Sequence, residues 1–228
     1  PDAIIHTAGS NRTPDMTAVI VEGTRHIVAA AEAVGARLVH LSTDSIFDGT
    51  AAPYDETAVA APLNEYGRAK ATAEALAAAH PDAVIVRTSL IYGLEEMDNG
   101  TAWMVAALRE GRPVTLFTNQ RRNPVWVETL GAACLALAGR SPSPAGGYRG
   151  VLNVAGRQVM TRAAFGLRML DWWGVEERAT PALGPDESGR WPLDCTMDVG
   201  LAERLLSVPL PGVDDVLARA GRGGLSLP

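Results

Sequence analysis

The chain has 228 residues, a formal net charge of −6 and 47% hydrophobic residues. This apolar content is enough to bury the core of one large domain, or of a domain with a smaller lobe. The acidic balance provides no basic stripe that follows phosphates, which argues against nucleic acid and an anionic membrane surface as partners. No apolar run reaches the ~20 residues that span a bilayer, and no secretory signal pattern is present, so we expect a cytoplasmic location.

Strands and helices alternate through the first part of the chain. The pattern predicts a strand at 3–8, a helix at 15–34, a strand at 37–41, a helix at 64–79 and a strand at 83–92. A loop rich in Asp, Pro, Gly and Thr separates the second strand from the second helix, and long loops of this kind are often functional. The alternation indicates a parallel sheet covered by helices on both faces, with ligand sites at the carboxyl ends of its strands.

The pattern is looser in the second part of the chain. It predicts helices at 101–110, 127–138 and 161–173, strands at 114–117 and 151–155, a loop at 141–150, an irregular stretch at 181–192 and two short helices near the end. We therefore predict an α/β fold, a Rossmann-like doubly wound parallel sheet with a small C-terminal substrate lobe. We expect residues 1–156 to form the Rossmann-like domain, with part of the substrate lobe inserted at about 94–124. We expect residues 157–228 to form the rest of the substrate lobe.

The two cysteines, Cys134 and Cys195, show neither a metal-ligand spacing nor a disulfide pattern. We interpret both as structural residues of the interior. No metal centre is expected.

Tyr66 and Lys70 lie four residues apart on a predicted helix, so their side chains share one face. Lys70 is the only lysine among the 20 basic Lys and Arg residues, which suggests that an ammonium group is needed there. A nearby ammonium favours the phenolate and lowers the pKa of a tyrosine from about 10 toward the working range of a general acid. The pair then protonates a carbonyl oxygen as hydride reaches the carbon, and a hydroxyl of Ser42 or Thr43 holds that oxygen. The alternative to this catalytic role is a structural one, in which Tyr66 is an aromatic residue of the capping turn and Lys70 is a solvated charge on the helix surface.

A longer set of segments carries a family resemblance. The segments are 41–49 (LSTDSIFDG), 53–56 (PYDE), 62–70 (PLNEYGRAK), 87–93 (RTSLIYG), 122–125 (RNPV) and 192–198 (PLDCTMD). In sequence and in order they resemble the dTDP-4-dehydrorhamnose reductases, which are extended short-chain dehydrogenase/reductases. The resemblance extends over essentially the whole chain.

The resemblance implies reduction of a keto group with NADP or NAD as cofactor, on a small carbonyl substrate such as a nucleotide-linked deoxysugar. It implies a catalytic triad of Thr43, Tyr66 and Lys70. The cofactor-binding residues that it implies are Ala8, Gly9, Ser42, Tyr66, Lys70 and Ser89. The substrate-binding residues that it implies are Thr43, Ser45, Tyr66 and Leu90. The oligomeric state is left open, with a homodimer as a possible assembly.

The chain differs from the family pattern at its start and in its aromatic residues. It begins without Met and contains no glycine-rich phosphate loop before its first strand, so we expect a fragment of a longer protein that binds a dinucleotide poorly as it stands. Ser45 and Leu90 occupy positions where the family often has aromatic residues that face the sugar. We therefore expect less surface for stacking on a sugar ring.

Two other functions remain open at the level of the sequence. Nucleotide-sugar epimerases and dehydratases use the same triad, but they usually need further acid and base residues, which the sequence does not reveal. The regulatory subunit of methionine adenosyltransferase shares much of the motif set and acts as a binding partner instead of an enzyme. An intact triad does not separate it from the reductases.

Overall fold

A computed structural model of the protein describes residues 1–9, 14–139, 147–175 and 181–221. The α-helices in this part of the chain are α1 (Met16–Val34), α2 (Glu65–Ala78), α3 (Asn99–Arg109), α4 (Val127–Ala138), α5 (Arg162–Trp172), α6 (Gly200–Leu205) and α7 (Val213–Ala220). The strands are β1 (Ala3–His6), β2 (Arg37–Thr43), β3 (Ala83–Thr88), β4 (Ile91–Tyr92), β5 (Thr115–Phe117), β6 (Arg121–Arg122), β7 (Val125–Trp126), β8 (Gly150–Asn153), β9 (Met160–Thr161) and β10 (Ala182–Gly184). Part of the loop predicted at 141–150 lies outside the described residues.

The main sheet has four strands in the order β1, β2, β3, β8, and every neighbouring pair is parallel. Consecutive strands are joined through helices, which is the connection that parallel strands require. The predicted Rossmann-like α/β fold is confirmed.

Helices cover both faces of this sheet, as the near-continuous apolar strands lead one to expect. Leu38 of β2 packs in a cluster with Ala31 of α1 and Ala77 of α2. Its neighbour Val39 points to the opposite face and shares a cluster with Leu137 of α4. Both β2 residues are fully buried. The alternation of side chains along β2 therefore fixes the two helical layers on either side of the sheet.

The strand predicted at 83–92 is two strands. β3 stays in the main sheet and ends at Thr88, whereas β4 pairs with β7 outside it. The chain leaves the sheet at Ser89 and Leu90, because Ser89 donates a hydrogen bond to Asp44 and the carbonyl of Leu90 accepts one from the backbone of Val125. The prediction of one continuous strand was wrong for this reason.

A second hydrophobic cluster forms a smaller lobe beside the sheet. Most of its buried members come from α3, α5 and α7, and include Met104, Leu108, Met169, Val213 and Val216. In contrast, the segment from Cys195 to Leu210 packs into the cluster of the main sheet. The proposed boundary between residues 156 and 157 stays a prediction.

The stretch predicted to be irregular at 181–192 contains a strand. β10 pairs with β5 in parallel, with Leu183 opposite Leu116. Its three residues are too few to give a clear alternation in the sequence, so the prediction missed it.

Among the described residues, no helix is both long enough and apolar enough to cross a bilayer. The cytoplasmic location and the homodimer stay predictions.

In the described part of the chain, no three His, Cys, Asp or Glu residues are grouped so that they could hold a metal ion. Cys134 and Cys195 are buried free thiols, and burial raises the pKa of both, that of Cys134 to about 11.

Candidate active site

A cavity of about 440 Å³ opens where the main sheet ends in its carboxyl direction. Five residues predicted from the sequence line it together: Thr43, Ser45, Tyr66, Ser89 and Leu90. They come from β2, the turn after it, α2 and the break after β3. The carboxyl edge of the strands is where α/β folds hold their ligands, so the position of the cavity agrees with the fold.

Thr43 ends β2 and begins the turn that follows. The strand is two residues longer than the sequence pattern predicted, and a short 3₁₀ helix, Asp44–Ile46, continues from it. The Thr43 hydroxyl caps this helix by accepting a hydrogen bond of 3.2 Å from the backbone N–H of Ser45. The cap holds the Thr43 side chain at the cavity wall.

Helix α2 places Tyr66 beside this turn. Asn64 caps this helix, because its side chain accepts a hydrogen bond of 2.9 Å from the backbone N–H of Gly67. A Cβ atom at Gly67 would lie 2.4 Å from the carbonyl oxygen of Ser45, so only glycine permits this approach of the helix to the turn. The close packing brings the first turn of α2 against the end of β2.

The Tyr66 phenol is partly enclosed, and burial raises its pKa above the usual value. A hydrogen-bonding interaction with Thr43 opposes this rise, and the negative charge of Asp44 adds to it. The expected lowering by Lys70 was wrong, since Lys70 is not among the causes of the shift. At neutral pH the phenol is therefore protonated, which is the state of a proton donor.

Lys70 lies behind Tyr66, one helical turn further along α2, and is only 6% exposed. Its Nζ donates a hydrogen bond of 2.6 Å to the backbone carbonyl of Leu41 on β2. Burial lowers the pKa of Lys70 to about 8, and the carboxylate of Glu74 opposes the decrease. The alternative of a solvated helix lysine is excluded by this burial.

Ala8 and Gly9 follow β1 and are exposed. Gly9 has a φ of +149°, a conformation that residues with a Cβ rarely adopt. A Cβ placed there would lie 3.3 Å from Ile20 and 3.9 Å from the Nζ of Lys70. The chain after β1 thus passes close to the Lys70 ammonium, and the residue at this point is a glycine, which has no side chain.

Ser42 does not line the cavity. Its hydroxyl donates a hydrogen bond of 2.7 Å to Glu74, which also accepts hydrogen bonds from Arg87. All three residues are buried. The hydroxyl that the sequence left available for a substrate oxygen is therefore engaged in fastening β2 and β3 to α2.

Ser89 lines the cavity, and its hydroxyl is also engaged. It donates a hydrogen bond of 2.6 Å to Asp44, whose carboxylate lies 3.5 Å from the Nε of Arg122. Asp44 and Arg122 are each about 4% exposed, so the two charges form a buried pair. The guanidinium of Arg122 is therefore held inside the protein.

The sequence missed four further residues of the cavity wall, which come from distant segments: Phe117, Gln120, Arg162 and Trp191. Phe117 and Trp191 restore the aromatic surface whose loss was expected from Ser45 and Leu90. Nothing local in the sequence marks them, because each belongs to a segment that only the tertiary structure brings to the cavity.

A second cavity of about 830 Å³ adjoins the first, and the two share Leu90, Ile91, Phe117 and Arg162. Its walls are mainly apolar and include Trp103 and Phe165. Arg162, the first residue of α5, is exposed at the border between the two cavities. The two cavities form one cleft, and Arg162 is the charged residue that they share.

Comparison with known proteins gives one family for most of the chain. A family described as "RmlD substrate binding domain" matches residues 5–217. A dTDP-4-dehydrorhamnose reductase of Mycobacterium tuberculosis is 38% identical over 153 residues, which are 64% of this chain and 48% of that protein. Methionine adenosyltransferase 2 subunit beta of Xenopus laevis is 26% identical over 226 residues, which are 90% of this chain and 66% of that protein. The chain thus spans about half to two thirds of the length of these curated relatives.

Among solved structures, the fold is similar to dTDP-4-dehydrorhamnose reductase from Bacillus anthracis, whose structure was determined in complex with NADP. The TM-score is 0.77 at 22% identity, and the match covers 94% of this chain and 77% of that one. At this identity the likeness supports the fold.

Proposed function

The chain belongs to the RmlD substrate binding domain family, and from this premise we propose that the protein that carries it reduces the keto group of a nucleotide-linked deoxysugar with NADPH or NADH. One observation carries the proposal above the others. Thr43 and Tyr66 meet at the wall of a cavity at the carboxyl edge of the sheet, with the buried ammonium of Lys70 on the next turn of the same helix. A proton donor, a hydrogen-bonding hydroxyl and a fixed positive charge are the groups that carbonyl reduction requires.

In the proposed reaction, Tyr66 donates its phenolic proton to the carbonyl oxygen of the sugar. The raised pKa of Tyr66 suits this role, since the group is protonated at neutral pH. Thr43 holds the carbonyl oxygen beside the phenol. The reduced nicotinamide supplies the hydride that forms the new C–H bond, so the keto group becomes an alcohol.

The residues near Lys70 fit a nicotinamide cofactor. Gly9 adopts a conformation that favours glycine and passes the ammonium without a side chain, and Ala8 adds only a methyl group. Small residues permit a flat ligand to approach the backbone closely. We propose that Ala8 and Gly9 contact the nicotinamide ribose and that Lys70 donates a hydrogen bond to it. Ser42 and Ser89 would act indirectly, since their hydroxyls hold Glu74 and Asp44.

The shape of the cleft supports a substrate larger than a free sugar. The cavity beside Tyr66 has the volume of a small ligand site, and the adjoining apolar cavity extends it. Arg162 stands at their border, where burial and the charge of Arg122 lower the pKa of its guanidinium, and a planar cation there suits the diphosphate that joins a sugar to a nucleoside. We propose that the sugar occupies the cavity of Tyr66 and that the nucleoside occupies the cavity of Trp103.

A second candidate function is a binding subunit without catalysis. The relative called methionine adenosyltransferase 2 subunit beta matches 90% of the chain, more than the 64% that the reductase relative matches. The cavity beside Tyr66 favours the reductase, because a role in partner binding alone does not require a small-molecule site.

Titration of NADPH and NADH into the protein that carries the chain, followed by addition of dTDP-4-dehydrorhamnose, tests the proposal. We expect one cofactor to quench the protein fluorescence at micromolar concentration, and the keto sugar to oxidise it. Binding of neither cofactor, together with capture of a dedicated partner enzyme by the purified protein, would favour the binding subunit.

A further inference from the structure

Trp191 is a large aromatic residue at the mouth of the cavity that contains Tyr66. It is 38% exposed and lies on an irregular segment after β10. Three of the other tryptophans, Trp126, Trp172 and Trp173, pack against the second hydrophobic cluster. Trp191 has no such role in the core, so its position at a polar cavity calls for a different explanation.

The backbone on both sides of Trp191 is fastened to the elements that form the site. The carbonyl of Arg190 accepts a hydrogen bond of 3.3 Å from Asn64, the capping residue of α2. The carbonyl of Pro192 accepts one of 2.8 Å from the buried guanidinium of Arg122. The two neighbours of Trp191 are therefore connected to the helix of Tyr66 and to the buried pair beside Thr43.

A glycine permits the same segment to pack closely. Gly49 has a φ of +84°, and a Cβ atom there would lie 2.7 Å from the backbone nitrogen of Leu193. Any larger residue would push the segment away from the loop that follows β2. The backbone of the segment that carries Trp191 is thus seated firmly against the site, which limits the positions that the indole can take.

The cavity lining combines polar groups with aromatic surface. Thr43 and Tyr66 are among the residues with hydroxyls, and Trp191 and Phe117 provide aromatic surface. A pyranose ring presents hydroxyl and carbonyl oxygens at its edge and C–H groups on its face. A rigid indole provides a large apolar contact for such a face at little cost in conformational entropy.

We propose that Trp191 is a specificity-determining residue that stacks on the sugar ring of the substrate. In this position the carbonyl oxygen of the sugar lies at Tyr66. Phe117 extends the same aromatic surface. The inference rests on the proposed function and assigns the recognition of the sugar ring, as distinct from the nucleotide, to this residue. Stacking of this kind acts on substrate and transition state alike, so it changes KM and leaves kcat nearly the same.

Calorimetric titration with two ligands tests this assignment in the protein that carries the chain. The ligands are dTDP-rhamnose, which contains the sugar, and dTDP, which does not. We expect Trp191→Ala to weaken the binding of dTDP-rhamnose about tenfold and to leave the binding of dTDP unchanged. Trp191→Phe should keep most of the affinity. Leu193→Ala is the matched control, since Leu193 is 43% exposed on the same segment and does not line the cavity.

Each outcome has a separate meaning. Equal binding of dTDP-rhamnose by wild type and Trp191→Ala would overturn the inference and leave the proposed function intact. An equal loss for dTDP-rhamnose and dTDP would also overturn it, because the residue would then act on the fold or on the nucleotide. Failure of the wild type to bind either ligand would overturn the proposed function, and the inference with it.

Discussion

The Nζ of Lys70 and the backbone carbonyl of Leu41 are joined by a hydrogen bond of 2.6 Å. The bond links the middle of α2 to the end of β2, the two elements that bring Tyr66 and Thr43 to one cavity. It also fixes the position of a buried positive charge whose pKa is about 8. An ammonium that serves both purposes cannot be exchanged for a larger cation without moving the strand or the helix.

Replacement of Lys70 by arginine is expected to reduce turnover about a hundredfold or more. The guanidinium is planar and larger than the ammonium, and the site between Leu41 and Gly9 has little room for it. Steady-state kinetics with the cofactor and dTDP-4-dehydrorhamnose measure the effect. Arg68→Lys, an exposed change on the same helix, is the control and should retain activity. Near-normal turnover of Lys70→Arg would remove Lys70 from the catalytic set.

The dependence of activity on pH should reflect the protonation of Lys70. Because burial lowers its pKa to about 8, the positive charge is lost as the pH rises through that value, and turnover should fall on the alkaline side. The carboxylate of Glu74 raises the pKa of Lys70, so Glu74→Gln should move the alkaline decrease to lower pH. Glu65→Gln, an exposed change at the start of α2, should leave the profile in place. A Glu74→Gln profile identical with that of the wild type would contradict the assignment.

His40 should make the protein sensitive to acid. It is fully buried, neither ring nitrogen has a hydrogen-bond partner within the described residues, and burial with the charges of Lys70 and His6 lowers its pKa to about 3. The unfolded chain binds a proton near pH 6.5, whereas the folded chain does not, so stability is present above that pH and is lost as the pH falls below it. Between pH 7 and pH 5 the loss through this residue is about 2 kcal/mol.

Urea unfolding of wild type and His40→Leu at the two pH values measures this contribution. The replacement removes a polar group without breaking a hydrogen bond, so we expect His40→Leu to be as stable as the wild type at pH 7. At pH 5 it should be more stable by about 2 kcal/mol. Other acid-sensitive groups affect both proteins equally and cancel in the comparison. Parallel losses of stability in the two proteins would show that His40 does not titrate on unfolding.

The elements of the main sheet could be predicted because their signals are local. The apolar runs of β1, β2 and β3, the Asn64 cap and the helical spacing of α1 are all properties of short segments. The break at Ser89 could not be predicted, since the run from 83 to 92 is apolar throughout apart from Arg87, Thr88 and Ser89. What ends β3 is a hydrogen bond from Ser89 to Asp44, 45 residues earlier in the chain.

The residues of the candidate site likewise divide into those that local sequence could predict and those that it could not. Thr43 and Tyr66 could be found because a strand end, a capped helix and the single lysine lie within 30 residues of each other, and the family resemblance gave them roles. Phe117, Arg162 and Trp191 belong to segments with no such pattern, and only the tertiary packing brings them to the cavity. The bond from Lys70 to Leu41 is likewise a tertiary contact, which is why the expected effect of Lys70 on the pKa of Tyr66 was wrong.

Transfer of deuterium from nicotinamide-labelled NADPH or NADH to dTDP-4-dehydrorhamnose is the most direct test of a net reduction. The account predicts that the sugar product gains one deuterium at the former keto carbon, seen by mass spectrometry, and that Tyr66→Phe, which keeps the ring but not the proton, forms almost none of it. An epimerase would return the hydride it removes, and a binding subunit would transfer none. A sugar without deuterium, in a protein that binds both the cofactor and the keto sugar, would contradict the account.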